Sequence, residues 1–188
     1  MKRNLLLISN STNAGEKYLD WCKDLIKDFC NESGVKNVLF IPYAGVSMGY
    51  DNYETKVKAV FETLGLNLYS IHKQADAKKA VQEAECIAVG GGNTFHLVYE
   101  LYRNGIMELI SQRAKEGVAY MGWSAGSNVA GMSLKTTNDM PIIEPESFDS
   151  MKLVPFLINP HYTDFFDPKN GGEARDVRLK EFTKVNPD

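Results

Sequence analysis

Ser124 stands between two glycines in Gly122-Trp123-Ser124-Ala125-Gly126, and His72, His96 and His161 are the chain's whole supply of imidazole. A serine hydroxyl attacks a carbonyl efficiently only when a base removes its proton, and an imidazole oriented by a carboxylate is the usual base. His161 follows Asn159 and Pro160 at what reads as a strand end, where the proline stiffens the backbone and can aim the ring. His72 closes a plain strand and His96 lies near a helix start, so both suit surface or structural roles better. Asp139, in Thr136-Thr137-Asn138-Asp139-Met140-Pro141, lies between the serine and His161 along the chain. Glu144, Asp149, Asp164 and Asp167 compete with it, and spacing alone does not choose.

The residues around Ser124 supply the context such a serine needs. Gly117-Val118-Ala119-Tyr120-Met121 reads as a buried strand, and Ser127-Asn128-Val129-Ala130 as the small-residue start of a helix. A strand turning sharply into a helix with serine between glycines is the nucleophile elbow. The bland alternative is a tight turn in which Ser124 only caps the helix. Gly90-Gly91-Gly92 follows another apolar run. Loops at the carboxyl ends of neighbouring parallel strands share one rim, so Gly91 and Gly92, with the N–H of Ala125, form a candidate oxyanion hole. A phosphate-binding loop is the competing use, but neither G-K-[ST] nor G-x-G-x-x-G is present. Ser9-Asn10-Ser11-Thr12-Asn13 is a weaker phosphate-loop candidate of flavodoxin type.

Alternating elements must position these residues. Apolar runs at Leu5–Ser9, Val38–Ile41, Leu66–Ile71, Cys86–Val89 and Gly117–Met121 predict strands. Helical spacing covers Gly15–Asn31, Tyr53–Leu64, Ala75–Glu83, Leu97–Tyr102, Ile106–Lys115 and Gly171–Lys184. Strand–helix alternation with near-continuous apolar strands predicts a three-layer α/β sandwich around a mainly parallel sheet. The stretch Ser133–Pro160 holds four prolines and predicts loops with short, antiparallel strands.

At 188 residues the chain fits a single domain over 1–188. A net charge of −3 with scattered basic residues predicts no nucleic-acid or membrane partner. Cys22, Cys30 and Cys86 lack zinc or disulfide spacing and read as buried free thiols, which suits the cytoplasm. Leu5–Ile8 is too short for a signal core or a membrane span.

Together the motifs resemble the peptidase E (α-aspartyl dipeptidase) family of serine peptidases. The matching pieces are Gly90–Phe95, Gly122–Ser127, Thr136–Pro141, Ile158–His161 and Gly172–Arg175, in the family's order and spacing. The resemblance implies a class I glutamine-amidotransferase-like (flavodoxin-like) fold, with Ser124 as nucleophile, His161 as base and Asp139 as the acid. It also implies Asp-Xaa dipeptides as substrate, with Arg175 gripping the aspartyl carboxylate and Asn93 beside it, without metal or cofactor. Family members continue into a strand carrying a glutamate, a rival for the triad's third place, and this chain is expected to lack that C-terminal region. A monomer or homodimer is expected. Rival readings are a cyanophycinase-like hydrolase and an inactive binding protein.

Overall fold

The computed structural model describes residues 3–165 and 173–187. Its elements run β1 (Leu5–Ile8), α1 (Lys23–Glu32), β2 (Asn37–Ile41), α2 (Tyr50–Thr63), β3 (Asn67–Ser70), α3 (Ala77–Glu83) and β4 (Cys86–Val89). They continue through α4 (Thr94–Arg103), α5 (Met107–Lys115), β5 (Ala119–Trp123), α6 (Ala125–Asn128) and α7 (Arg175–Val185). The strands form one sheet in the order β1-β5-β4-β2-β3, and every pairing is parallel.

Period-two alternation divides the strand side chains between two layers. Leu39, Ile41, Ile87, Val89 and Tyr120 pack with residues of α3, α4 and α5 on one face. Val38, Phe40, Cys86, Met121 and Trp123 pack with Ile26 and Cys30 of α1 and with Val57 and Phe61 of α2 on the other. Burial of each large aliphatic or aromatic side chain contributes about 1.5–3 kcal/mol, which is why the strands need be only four or five residues long. Register aligns Ile8 with Trp123, Gly122 with Val89, and Val89 with Ile41. The segments after β1, β5, β4 and β2 therefore emerge along one edge.

Three expectations change in the folded chain. The helix predicted from Gly15 begins at Lys23, after a 3-10 turn at Asp20–Cys22. Leu19 is buried with φ 57°, and its N–H donates to the Ser11 carbonyl, so the segment folds back toward β1 and cannot continue a right-handed helix. Among the described residues, the stretch from Ser133 to Pro160 holds one antiparallel bridge, Ser133 to Asp149, and no strand. Its N–H groups instead donate to carbonyls at the end of α6, as Met151 does to Val129 and Leu153 to Ala130. The last helix is described from Arg175 onward, and residues 171 and 172 of the predicted helix lie outside the described residues. Cys22, Cys30 and Cys86 are free and buried. No described helix is long and apolar enough to cross a membrane.

Candidate active site

Ser124 sits at the β5–α6 turn with φ 54° and ψ −113°, a conformation that costs on the order of 1–3 kcal/mol for a residue with a side chain. Surrounding hydrogen bonds hold it there. Its N–H donates to the Ile8 carbonyl (3.0 Å), and its carbonyl accepts from the N–H groups of Ser127 and Asn128 (both 2.9 Å). Buried Ser127 Oγ lies 2.7 Å from the carbonyl oxygens of both Ile8 and Gly122, and accepts from the Ile8 N–H (2.9 Å). The motif's glycines are packing requirements: a Cβ on Gly122 would overlap the Gly126 carbonyl, and one on Gly126 would overlap the Val89 carbonyl.

His161 Nε2 lies 2.8 Å from Ser124 Oγ. For Nε2 to accept the serine proton, the neutral ring must carry its hydrogen on Nδ1. The histidine reaches the serine from a loop in which its own φ is 57°. The His161 N–H donates to Ser9 Oγ (2.9 Å), and Arg175 donates to the His161 carbonyl (3.2 Å). Upstream, Asn128 Nδ2 and Thr136 Oγ1 both donate to the Ile158 carbonyl at 2.7 Å, and Asn138 Nδ2 donates to that of Pro160. Ser9 was legible only as part of a weak phosphate-loop candidate, and Ser127, Asn128 and Thr136 only as members of motifs or of a helix start; their part in holding the serine turn and the His161 loop was not. Nothing in their spacing distinguishes them, because their partners are distant main-chain groups.

Asp139 is placed differently from the other two residues of the expected triad. Its Oδ2 accepts from the Thr94 N–H (2.7 Å), Thr94 Oγ1 (2.6 Å) and Thr137 Oγ1 (2.9 Å). Among the described residues, the His161 ring has Ser124 as its hydrogen-bond partner and none in Asp139. The Asp139 carboxylate ties the 136–141 loop to the start of α4. Asn93 is similarly occupied: Oδ1 caps α4 by accepting from the His96 N–H, and Nδ2 donates to the Met140 carbonyl. Asp139→Asn should lower thermal stability by about 1.5–3 kcal/mol, the worth of hydrogen bonds to a charged acceptor, while reducing kcat much less than loss of Ser124 does. Parallel melting and activity assays check this, and a kcat as low as that of Ser124→Ala would contradict it.

The triple glycine forms the opposite wall. A Cβ on Gly91 would lie 2.8 Å from that of Ser124, and Gly92 has φ 134°. The Gly91 amide lies toward the Tyr53 hydroxyl. Among the described residues, no main-chain carbonyl accepts from the N–H of Gly92 or of Ala125. Beneath the turn, Trp123 Nε1 donates to the hydroxyls of Tyr18 (2.8 Å) and Tyr53 (3.1 Å), which lie 3.0 Å apart. Burial pushes the pKa of both phenols up, so they remain uncharged hydrogen-bonding groups.

These groups line a cleft of about 750 Å³ that also admits Arg175, Asn93, Lys56 and Met48. His96 and His72 are elsewhere engaged, with the Tyr43 carbonyl and with Ser70 and Asp51. Asp51, Glu54 and His72 are close enough together to share a cation, but the Lys73 ammonium already lies 2.9 Å from Asp51 and 2.6 Å from Glu54.

Fold and cleft define an α/β protein with a serine on a strand-to-helix turn at the carboxyl edge of a parallel sheet. The family model for peptidase family S51 matches residues 5–188, and the chain belongs to that family. It is 47% identical over 188 residues to a peptidase E of Nostoc, covering all of this chain and 77% of the relative. It is 49% identical over 187 residues to one of Shewanella, covering 100% of this chain and 78% of that protein. The crystal structure of a peptidase E protein from Listeria monocytogenes superposes with a TM-score of 0.67 at 27% identity, covering 96% of this chain and 86% of that one. A peptidase from an acI-B1 actinobacterium shares the fold, with a TM-score of 0.63 at 17% identity over 93% of this chain and 74% of that one. The chain is accordingly a peptidase of the peptidase E type.

Proposed function

We propose that the protein is a serine exopeptidase that hydrolyses Asp-Xaa dipeptides through an acyl-enzyme. The observation that carries this reading is the 2.8 Å approach of His161 Nε2 to Ser124 Oγ on a strained turn. His161 takes the hydroxyl proton as Ser124 attacks the carbonyl of the amino-terminal aspartate. The resulting oxyanion rests on the N–H groups of Gly92 and Ala125, with Gly91 keeping the wall free of side chain. His161 then protonates the departing amine, and water activated by the same ring releases the aspartyl ester.

Arg175 supports the aspartyl part of the reading, since it lines the same cleft as the serine. One guanidinium nitrogen holds the His161 carbonyl, and a planar guanidinium has further N–H groups with which to meet a carboxylate. The residue therefore links substrate recognition to the position of the base. Asp139 supports the site through Thr94, shaping the wall beside the triple glycine.

A panel of Asp-Leu, Glu-Leu and Ala-Leu tests the proposal. Hydrogen bonds to a charged group are worth about 1.5–3 kcal/mol, so Ala-Leu should show a kcat/KM roughly 10- to 150-fold below that of Asp-Leu. Equal turnover of the three dipeptides would end the aspartyl assignment.

A further inference from the structure

The proposed cleavage leaves one carboxylate of the substrate without a counterpart. A dipeptide Asp-Xaa carries two carboxylates, one on the aspartyl side chain and one at its carboxyl terminus, and Arg175 accounts for only the first. Arg175, at the start of α7, reaches the cleft beside the loop that carries His161, which is tethered to α6 through Asn128 and to Thr136. The opposite wall belongs to the layer of α1 and α2, where Tyr18, Tyr53 and Lys56 line the cleft. With the aspartyl side chain at Arg175 and its carbonyl at Ser124, the departing residue must extend toward that second wall.

We propose that Lys56 binds the terminal α-carboxylate of the departing residue and so selects dipeptides over longer or blocked peptides. The inference rests on the Asp-Xaa reading. Among the described residues, no carboxylate pairs with Lys56. Its Nζ instead lies 4.3 Å from the centre of the Tyr18 ring. An aromatic face localises an ammonium without neutralising it, leaving the charge available to an anion. The platform is itself fixed, because the Tyr18 hydroxyl bonds to Trp123 Nε1, one residue before the nucleophile, and to the Tyr53 hydroxyl. Val46 and Met48, both on the loop that leads into α2, add partly exposed apolar surface to the same cleft. That surface suits an apolar side chain on the departing residue.

The test compares Asp-Leu with Asp-Leu-amide, which differ only in the terminal charge, using the unaltered protein, Lys56→Met and Lys56→Arg. Methionine keeps much of the stem over Tyr18 and removes the charge. An exposed ammonium paired with one carboxylate should be worth roughly three- to tenfold. The unaltered protein should favour Asp-Leu over the amide by about that factor, expressed mainly in KM. Lys56→Met should abolish the preference through a raised KM for Asp-Leu at nearly constant kcat, and Lys56→Arg should restore most of it. Cleavage of Asp-Leu with the preference unchanged in Lys56→Met, or with both substrates losing equally, overturns this inference and leaves the proposed activity standing. Failure of the unaltered protein to cleave Asp-Leu overturns both.

Discussion

Ser124→Ala should yield a folded protein that no longer cleaves Asp-Leu, with kcat lower by about three to six orders of magnitude. The Ser124 side chain has one hydrogen-bond partner among the described residues, the His161 ring, so its loss removes little of what holds the turn. The main-chain bonds to Ile8, Ser127 and Asn128 do not involve the hydroxyl and remain. Circular dichroism should therefore match that of the parent, while reaction with a fluorophosphonate disappears. His161→Ala should fall to a similar level, and the double variant should be little worse than either, because a nucleophile and its base fail as a unit. Hydrolysis that persists in Ser124→Ala would remove this residue as the nucleophile.

Gly126→Val should do damage of a different kind, to folding rather than chemistry. The β5–α6 turn passes so close to β4 that even a Cβ at position 126 overlaps the Val89 carbonyl. Main chain cannot swing aside as the end of a flexible side chain can, so either α6 must lift away or the β4–β5 pairing must give. A cost of about 3 kcal/mol or more is expected, which in a chain of this size lowers the midpoint of thermal unfolding by roughly 6–12 °C or prevents soluble expression. Gly15→Ala provides the contrast. Gly15 has φ 83° but open space around it, so only backbone strain opposes a side chain there. A melting temperature for Gly126→Val close to that of the parent would show that the turn relaxes where packing says it cannot.

The two glycines flanking Ser124 illustrate what a one-dimensional pattern conveys. Their need was visible from the strand-turn-helix sequence, and the folded chain identifies what they avoid: the Gly126 carbonyl for Gly122, the Val89 carbonyl for Gly126. The sheet was legible for a related reason. The central strands β2, β4 and β5 are short runs buried over nearly their whole length, so their signal is local. The start of α1 was not legible, because apolar spacing from Leu19 through Phe29 fits a helix while long-range bonding turns Leu19 the other way. The role of Asp139 was equally hidden. Its place between serine and histidine in the chain says nothing about which hydroxyls and amides surround it in space, and those prove to belong to Thr94 and Thr137.

From its residues alone this chain specified a parallel α/β sheet, a serine held between glycines at a strand end and His161 as the histidine best placed to serve it. Periodicity and turn chemistry operate over a few residues, and such features survive without knowledge of the fold. Tertiary structure decided how closely His161 approaches the serine, that Ser9 and Arg175 hold it by its main chain, and that Lys56 shares the cleft from the opposite layer. Those choices join residues separated by 14 to 152 positions, and only the register of the sheet and the packing of its two helical layers bring them within reach of one another.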